Sequence, residues 1–316
     1  FSIETSFIAE VETPGKVAVP ANILVRVLKT IRAEGNISLN LDGDMLVLNT
    51  GDGNSTIKTL SSDEFPNIPQ PETENSYVIK PKLLIDGIRS VSNSASVSVI
   101  KPELSAVYMY SEDNNLIFAA TDQFRLSEKK IEYKSEKEIP SIIIPISNAI
   151  ELVNVLETIE GDVDVYIDEN QISIKTDNLY ATSRIIDGSF PDYKQIIPKE
   201  TTTEVIILKN DLLNCLHKMQ IFADKFGKTN LHIYPEKKKF TASAHNPDLG
   251  EVFDSPDAAL KGEELDIAFN HKYLIDSLQS VKADSVSFSF AGAGKPLIIR
   301  GIGDPTFTYL VMPMNR

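Results

Sequence analysis

Hydrophobic positions along this chain switch repeatedly between two periods. A short β-branched run opens KVAVPANILVRVLKTI at Lys16, SIIIPISNAIELVNVLETI at Ser141 and LDIAFNHKYLIDSLQSV at Leu265. Each continues into apolar residues recurring at helical spacing, which predicts a strand followed by an amphipathic helix. The helices are expected to open at Pro20, Ser147 and Asn270, residues suited to a first turn or its cap. Three alternating runs follow each helix: NISLNL, MLVLNT and STIKTL; VDVYI, QISIKT and YATSRII; SVSFSF, PLIIRGI and FTYLVMP. Alternation broken by DGD or DEN turns is the pattern of antiparallel hairpins with one buried face. Two further copies interleave, SYVIKPKLLIDGIRSV from Ser76 and TEVIILKNDLLNCLHKM from Thr203.

The chain therefore reads as five βαβββ units at spacings of about 60 residues. Two units make one layered α+β domain, with two helices on one face and antiparallel sheets on the other. This double period explains why TLSSDEFPNIP, with Phe65-Pro66, returns as RIIDGSFPDYKQIIP, with Phe190-Pro191. Both are the exit from every second unit. Domains are expected over 1–73, 74–200 and 201–316, with edge strands pairing across the boundaries so that no edge is left open there. Only the strand-like SIETSFIAEVET precedes the first unit, so half of the first domain is expected upstream.

Composition narrows the function. At 316 residues several domains are natural, and no apolar run is long enough to cross a membrane. The start lacks the basic-then-apolar layout of a signal peptide. A single cysteine excludes a disulfide framework and a zinc cluster and fits a reducing cytoplasm. Cys215 falls at helical spacing with Leu212, Leu216 and Met219, as a small buried hydrophobe would. The formal net charge of −14 argues against a protein that reads DNA grooves, although it does not say where the 31 basic residues sit. His217, His232, His245 and His271 lie at no ligand-like spacing, and no nucleophile elbow, phosphate loop or HExxH is present. Asp122 and Arg125 are the most tempting catalytic pair, but Asp122 reads better as the stabiliser of a turn between strands. No enzyme activity, cofactor or metal is expected.

Three motifs in order, ATDQFRL at 120–126, SRIIDGSFPDYKQIIP at 183–198 and YLVMPMNR at 309–316, resemble the bacterial beta sliding clamp, the beta subunit of DNA polymerase III. The similarity runs from about Lys16 to the C-terminus. It implies the DNA-clamp fold and a non-catalytic processivity factor that, as a head-to-tail homodimer, encircles double-stranded DNA without regard to sequence. The implied partners are the catalytic subunit of DNA polymerase III, the clamp loader, and other polymerases and repair proteins with a Gln-Leu-x-Leu-Phe-like motif. The resemblance places a partner-peptide pocket between the second and third domains. Its members would be Leu104, Thr121, Gln123, Phe124, Arg125 and Leu126; Pro191, Gln195 and Ile196; and Leu310, Met312, Pro313, Met314, Asn315 and Arg316. For Leu104 and Leu126 the pattern equally allows plain inward strand packing.

DNA-facing candidates are the basic residues on the helix segments: Arg26, Lys29, Arg32, Lys80, Lys82, Arg89, Lys218 and Lys272. Each could also be the solvated face of an amphipathic helix, and SNAIELVNVLETI carries no Lys or Arg at all. The dimer contact implied by the resemblance is Ile57 against Ile221 and Phe222, with strand or helix-end packing as the alternative. The chain departs from the family where Gln123-Phe124 replaces Gly-His, where Gln195 stands for a common Arg, and where the tail ends Asn-Arg instead of Arg-Leu. A pocket with altered peptide preference is expected. A repeat scaffold that binds proteins without DNA is the remaining rival.

Overall fold

A computed structural model describes the chain apart from residues 32–34, 52, 72–75, 99, 136 and 315–316. Arg32, Asn315 and Arg316 therefore lie outside the described residues. The chain divides into two compact units, Thr5–Gln70 and Phe1–Glu4 with Pro71–Arg316. In chain order, β1 (Ser2–Thr5) is followed by α1 (Ala21–Leu28), β2 (Ser38–Asp42), β3 (Met45–Thr50) and β4 (Gly53–Lys58).

The Thr5–Gln70 unit is one βαβββ repeat. Strands β2, β3 and β4 form an antiparallel sheet in that order. Leu46, Leu48 and Ile57 point to one side and pack with Val19, Leu24 and Val27. The strand expected at Lys16 shrinks to a single bridge, Ala18 to Leu60. None of the α1 side chains is fully buried.

The larger unit holds the other four repeats. The first pair is β5 (Ser76–Ile79), α2 (Pro81–Ser92), β6 (Ala106–Glu112), β7 (Asn115–Thr121) and β8 (Arg125–Glu132), then β9 (Ile142–Pro145), α3 (Ile146–Leu156), β10 (Val163–Ile167), β11 (Gln171–Lys175) and β12 (Leu179–Arg184). The second pair is β13 (Thr203–Leu208), α4 (Lys209–Ile221), β14 (Lys228–Tyr234), β15 (Lys239–Asn246), β16 (Gly250–Asp254) and β17 (Ala258–Gly262), then β18 (Leu265–Asn270), α5 (His271–Ser280), β19 (Ser285–Phe290), β20 (Leu297–Gly301) and β21 (Asp304–Val311).

Within each pair the repeats exchange their opening strands. β5 pairs with β10 and β9 with β6; β13 pairs with β19 and β18 with β14. Neither repeat of a pair can complete its sheet alone. The two apolar cores follow this division, one around Ile88, Phe118 and Ile174, the other around Leu216, Phe269 and Phe288. Gly87 lets α2 close on β7, since a Cβ there would stand 2.2 Å from the Phe118 ring. Cys215 is fully buried in the second core, and burial pushes its thiol up to about 12.

Two expectations need correcting. α3 opens at Ile146 behind Pro145, one residue before Ser147. Its first residue is apolar, and the break comes from proline, which the preceding strand can hold only at its end. β17 was not foreseen. It extends the sheet beyond β13, and the chain turns back at Gly262, with φ +104 and a would-be Cβ 1.9 Å from the Thr202 carbonyl. Asn270 caps α5 as expected, its side chain accepting the Lys272 N–H at 2.9 Å. The boundary pairing also holds: β8 joins β21, giving one nine-stranded sheet in the order β17-β13-β19-β20-β21-β8-β7-β6-β9.

Candidate partner-binding groove and basic helix faces

Pairing of β8 with β21 brings two of the three motifs together. Leu126 stands opposite Leu310, and Val311 opposite Arg125. The ladder then runs one step further, the Met312 N–H donating to the Phe124 carbonyl at 2.7 Å. Side chains alternate along a strand, so Phe124 and Met312 continue the face of Leu126 and Leu310. Leu126 and Leu310 are buried, at 1% and 2% exposure, while Phe124 and Met312 emerge to 60% and 39%. An apolar strip thus runs from the core out to the surface.

The turn that carries Phe124 is tightly held. Asp122 Oδ1 accepts the N–H groups of Phe124 and Arg125, as the reading of Asp122 as a turn stabiliser expects. Thr121 Oγ1 donates to the Arg125 carbonyl and accepts the Gln123 N–H. Arg125 donates through Nε to Asp122 at 2.9 Å and through Nη1 to Asp276 of α5 at 2.5 Å, with its guanidinium 4.4 Å from the Tyr273 ring centre. Gln123 sits at φ +78, a conformation that costs a non-glycine residue on the order of 1 kcal/mol.

The Phe-Pro phrase supplies the third motif. Phe190 stacks on Tyr108 with ring centres 4.7 Å apart and joins Leu126, Leu310 and Ile298 in a small core at the domain boundary. Tyr193 donates to Glu128 of β8 at 2.6 Å and shares a 2.9 Å hydrogen bond with the Tyr110 hydroxyl. Burial, and then the facing carboxylate, push the Tyr193 hydroxyl well above the ordinary phenol range. Pinned at these two rings, the segment leaves Pro191, Gln195 and Ile196 exposed. Gln195 donates to Asp192 at 2.5 Å.

Of the other proposed pocket members, Thr121 and Arg125 are buried in the turn and Leu104 is buried in a short helical turn over Pro102–Leu104. Pro313 and Met314 are half-buried, and the Met314 N–H donates to the Ala268 carbonyl at 2.8 Å, so the tail follows the edge of β18. They help line a cavity of about 430 Å³ with Lys228, His232 and Asp266. A larger cleft of about 810 Å³ takes in the end of α2 and the start of α3. Arg125 is the one proposed pocket residue on its wall, beside the DNA-facing candidate Lys272.

All the described basic candidates are exposed. Lys82 and Arg89, seven apart on α2, share one helix face. Arg89 pairs with Glu157 of the α3 end at 2.6 Å, and Lys218 pairs with Asp254 at 2.8 Å. Lys80 precedes α2, Lys272 lies on α5, and Arg26 and Lys29 lie on and after α1. Ile221 is 64% exposed at the end of α4, and Phe222 packs partly onto the core. Ile57 is 4% exposed and belongs to the small core of its own unit. Strand packing is therefore its place in this chain, because the inward positions of β4 face α1.

The sequence reading missed Tyr193, Glu128, Tyr273 and Asp276. One signal was available: Glu128 and Lys129 interrupt RLSEKKIE, and charged residues on a strand entering a core need buried partners. Among the described residues no cluster of three metal-ligating side chains occurs, and no helix is long and apolar enough to cross a membrane.

Comparisons with known proteins agree along the whole chain. Family models of the DNA polymerase III beta subunit match in order, the N-terminal domain over 1–69, the central domain over 78–192 and the C-terminal domain over 194–315. The beta sliding clamp of Synechococcus elongatus is 28% identical over 318 residues, covering 99% of this chain and 85% of that protein. That of Bacillus subtilis is 28% identical over 313 residues, covering 98% and 82%. The crystal structure of the Thermotoga maritima beta subunit superposes with a TM-score of 0.93 at 26% identity, covering 99% of this chain and 85% of that one. The Bacillus subtilis clamp structure gives 0.89 at 27%, covering 97% and 82%. The chain belongs to the bacterial beta sliding clamp family, the beta subunit of DNA polymerase III.

Proposed function

We propose that this DNA sliding clamp, a processivity subunit with no catalytic step of its own, acts by closing a ring around double-stranded DNA with a second copy placed head to tail. One observation carries most of this reading. Outside their own pair, the repeats of the larger unit meet a neighbour through the last hairpin strand: β8 meets β21, and β12 meets β1. Among the described residues, two last strands, β4 and β16, keep a free edge. Pairing β16 of one copy with β4 of the other repeats the same join and closes the assembly, with Ile221 and Phe222 beside it. The division into domains at 1–73, 74–200 and 201–316 belongs to this proposal and is supported by the separate apolar cores.

A ring holds DNA topologically, so weak contacts suffice and sliding stays possible. A net charge of −14 disfavours DNA over the surface at large, leaving the cations of the helices to face it. Lys80, Lys82, Lys272, Arg26 and Lys29 fit that role. Arg89 and Lys218 are committed to exposed ion pairs of small energy and can exchange their carboxylate for a phosphate. The apolar strip of Phe124 and Met312, together with the exposed Pro191 and Ile196, is proposed as the groove for an extended partner peptide, including motifs carried by the polymerase catalytic subunit, the clamp loader and repair proteins. A cytoplasmic location accords with this role.

Retention on DNA tests the ring. Clamp assembled on nicked circular plasmid should co-elute with it at moderate salt and be lost after a single restriction cut. Equal retention on linear DNA would sink the ring and leave an ordinary electrostatic binder. No retention on either form would favour a protein scaffold without DNA.

A further inference from the structure

We infer that Glu157 limits the grip of the helix face on DNA: it engages Arg89 and, with Glu151, makes α3 a stretch of that face that repels phosphate. This rests on the DNA-encircling reading above and adds which of two adjacent helices carries the contact. α2 and α3 lie side by side, and each turns one stripe away from the sheets. On α2 the exposed stripe holds Lys82, Arg89 and Asn93; on α3 it holds Ser147, Ile150, Glu151, Asn154 and Glu157. Asp86 of α2 is already engaged, by Lys282 at 3.2 Å. Among the described α-helices, α3 alone has no Lys or Arg.

The position of Glu157 adds a second sign. It is the C-cap of α3, where the helix dipole disfavours an anion, so the stability of α3 does not explain it. Its partner is Arg89, in the last turn of α2, at 2.6 Å, with the two side chains 57% and 43% exposed. An exposed pair of this kind adds little stability. What the carboxylate changes is the charge that Arg89 presents to solvent. Glu151 accepts a hydrogen bond from the neutral Asn154 at 3.3 Å, which leaves its charge in place. A phosphate reaching Arg89 must therefore displace Glu157 and pass close to a second carboxylate. The contact shifts to the Lys80 and Lys82 end of α2. For a ring that holds DNA topologically, a weaker electrostatic grip costs no retention and eases sliding.

The test is fluorescence anisotropy of a labelled short linear duplex, titrated with the full chain over a salt series. Glu157→Gln should tighten binding about five- to tenfold at ~0.1 M salt, and steepen the fall of log K with log salt by roughly 0.9 for each copy in contact. Arg89→Ala should cost more in the Glu157→Gln chain than in the parent, which is the coupling that a shared partner produces. The thermal melt of Glu157→Gln should match the parent, because a lost exposed ion pair and relief at the helix C-terminus are small and opposed. Unchanged affinity and salt slope in Glu157→Gln would overturn the inference while the DNA reading stands. A gain that survives intact when Arg89 is also replaced would overturn it too, because the carboxylate would then act on phosphate without restraining Arg89. If the parent binds no duplex even at low salt, or if Lys82→Ala leaves its affinity and slope unchanged, the DNA-facing role of these helices fails and the inference falls with it.

Discussion

Strands β8 and β16 hold the same place in their repeats, yet one is covered and the other open. β8 lies against β21 over Arg125–Lys129, whereas β16 is the edge of its sheet among the described residues. The covered strand is rich in charge. Arg125 reaches Asp276, Glu128 receives Tyr193, and Lys129 donates to Thr306 at 2.6 Å, so each of these three buried charges finds a partner outside its own hairpin. The open edge instead gathers exposed apolar side chains, beside the carboxylates of Glu251 and Asp254 on β16. Phe253 on β16, Leu249 in its hairpin and Ile221 and Phe226 by the end of α4 are all exposed. Lys218 to Asp254, and Phe222 near Gly250, fasten that helix end to the edge. A join made once within a chain can be specified by desolvated charges, because a slip of one residue would strand them. A join that opens and closes is better served by surface burial, which has no orphaned charge to expose.

The sharpest way to break the covered join is Arg125→Ala. It leaves Asp122 and Asp276 without their shared cation at a largely buried site. Such a loss costs about 3–5 kcal/mol, to be read as a lower urea midpoint. Arg125→Lys should recover only part of it, since one ammonium cannot serve both carboxylates and the Tyr273 face. A cost under 1 kcal/mol would mean the join is held by the apolar strip alone. Tyr193→Phe comes next. It removes a donor from the buried Glu128, and about 1–3 kcal/mol of stability should go with it. Combining it with Glu128→Gln should cost less than the two changes taken separately, because the orphaned charge is then gone.

A smaller effect is set by pH. Asp304 is held below its ordinary value of 3.8; burial works against this, but the Thr306 hydroxyl and N–H, followed by Lys129, outweigh it. A carboxylate with a depressed folded pKa contributes stability that is present above the unfolded value and is lost as pH falls through the folded one. Melting temperature should therefore drop below about pH 4, and Asp304→Asn should flatten that part of the curve while leaving neutral pH nearly unchanged. An identical acid limb in the variant would exclude Asp304 from the join.

How much of this contrast was readable in the sequence depends on range. Units, hairpins and the cap at Asn270 follow from periodicity and local chemistry, so the strings alone reveal them. The meeting of ATDQFRL with YLVMPMNR was legible only through resemblance, because no local rule pairs strands nearly two hundred residues apart. The exchange of β5 and β9 between repeats left no mark, since a strand reads the same whichever hairpin it joins. Asp276 and Tyr273 were hidden for a related reason. On α5 they look like solvent-facing residues until Arg125 arrives from another repeat. Ile57 teaches the converse. Its alternation marks an inward position, and inward in this chain means the small core of Leu46 and Leu48.

The open edge is best probed by a substitution that the isolated fold should hardly feel. Ile221 is exposed, so Ile221→Glu should shift stability by no more than about 0.5 kcal/mol. If the edge of β16 is where a second copy docks, a buried carboxylate there meets no partner and association should weaken at least tenfold. Sedimentation velocity across a concentration series would separate the outcomes. Unchanged stability with weaker self-association would set the two strands apart as closed and working edges of one design. Unchanged association would mean that the apolar surface beside β16 serves something other than a second copy, and the head-to-tail join would have to use another edge.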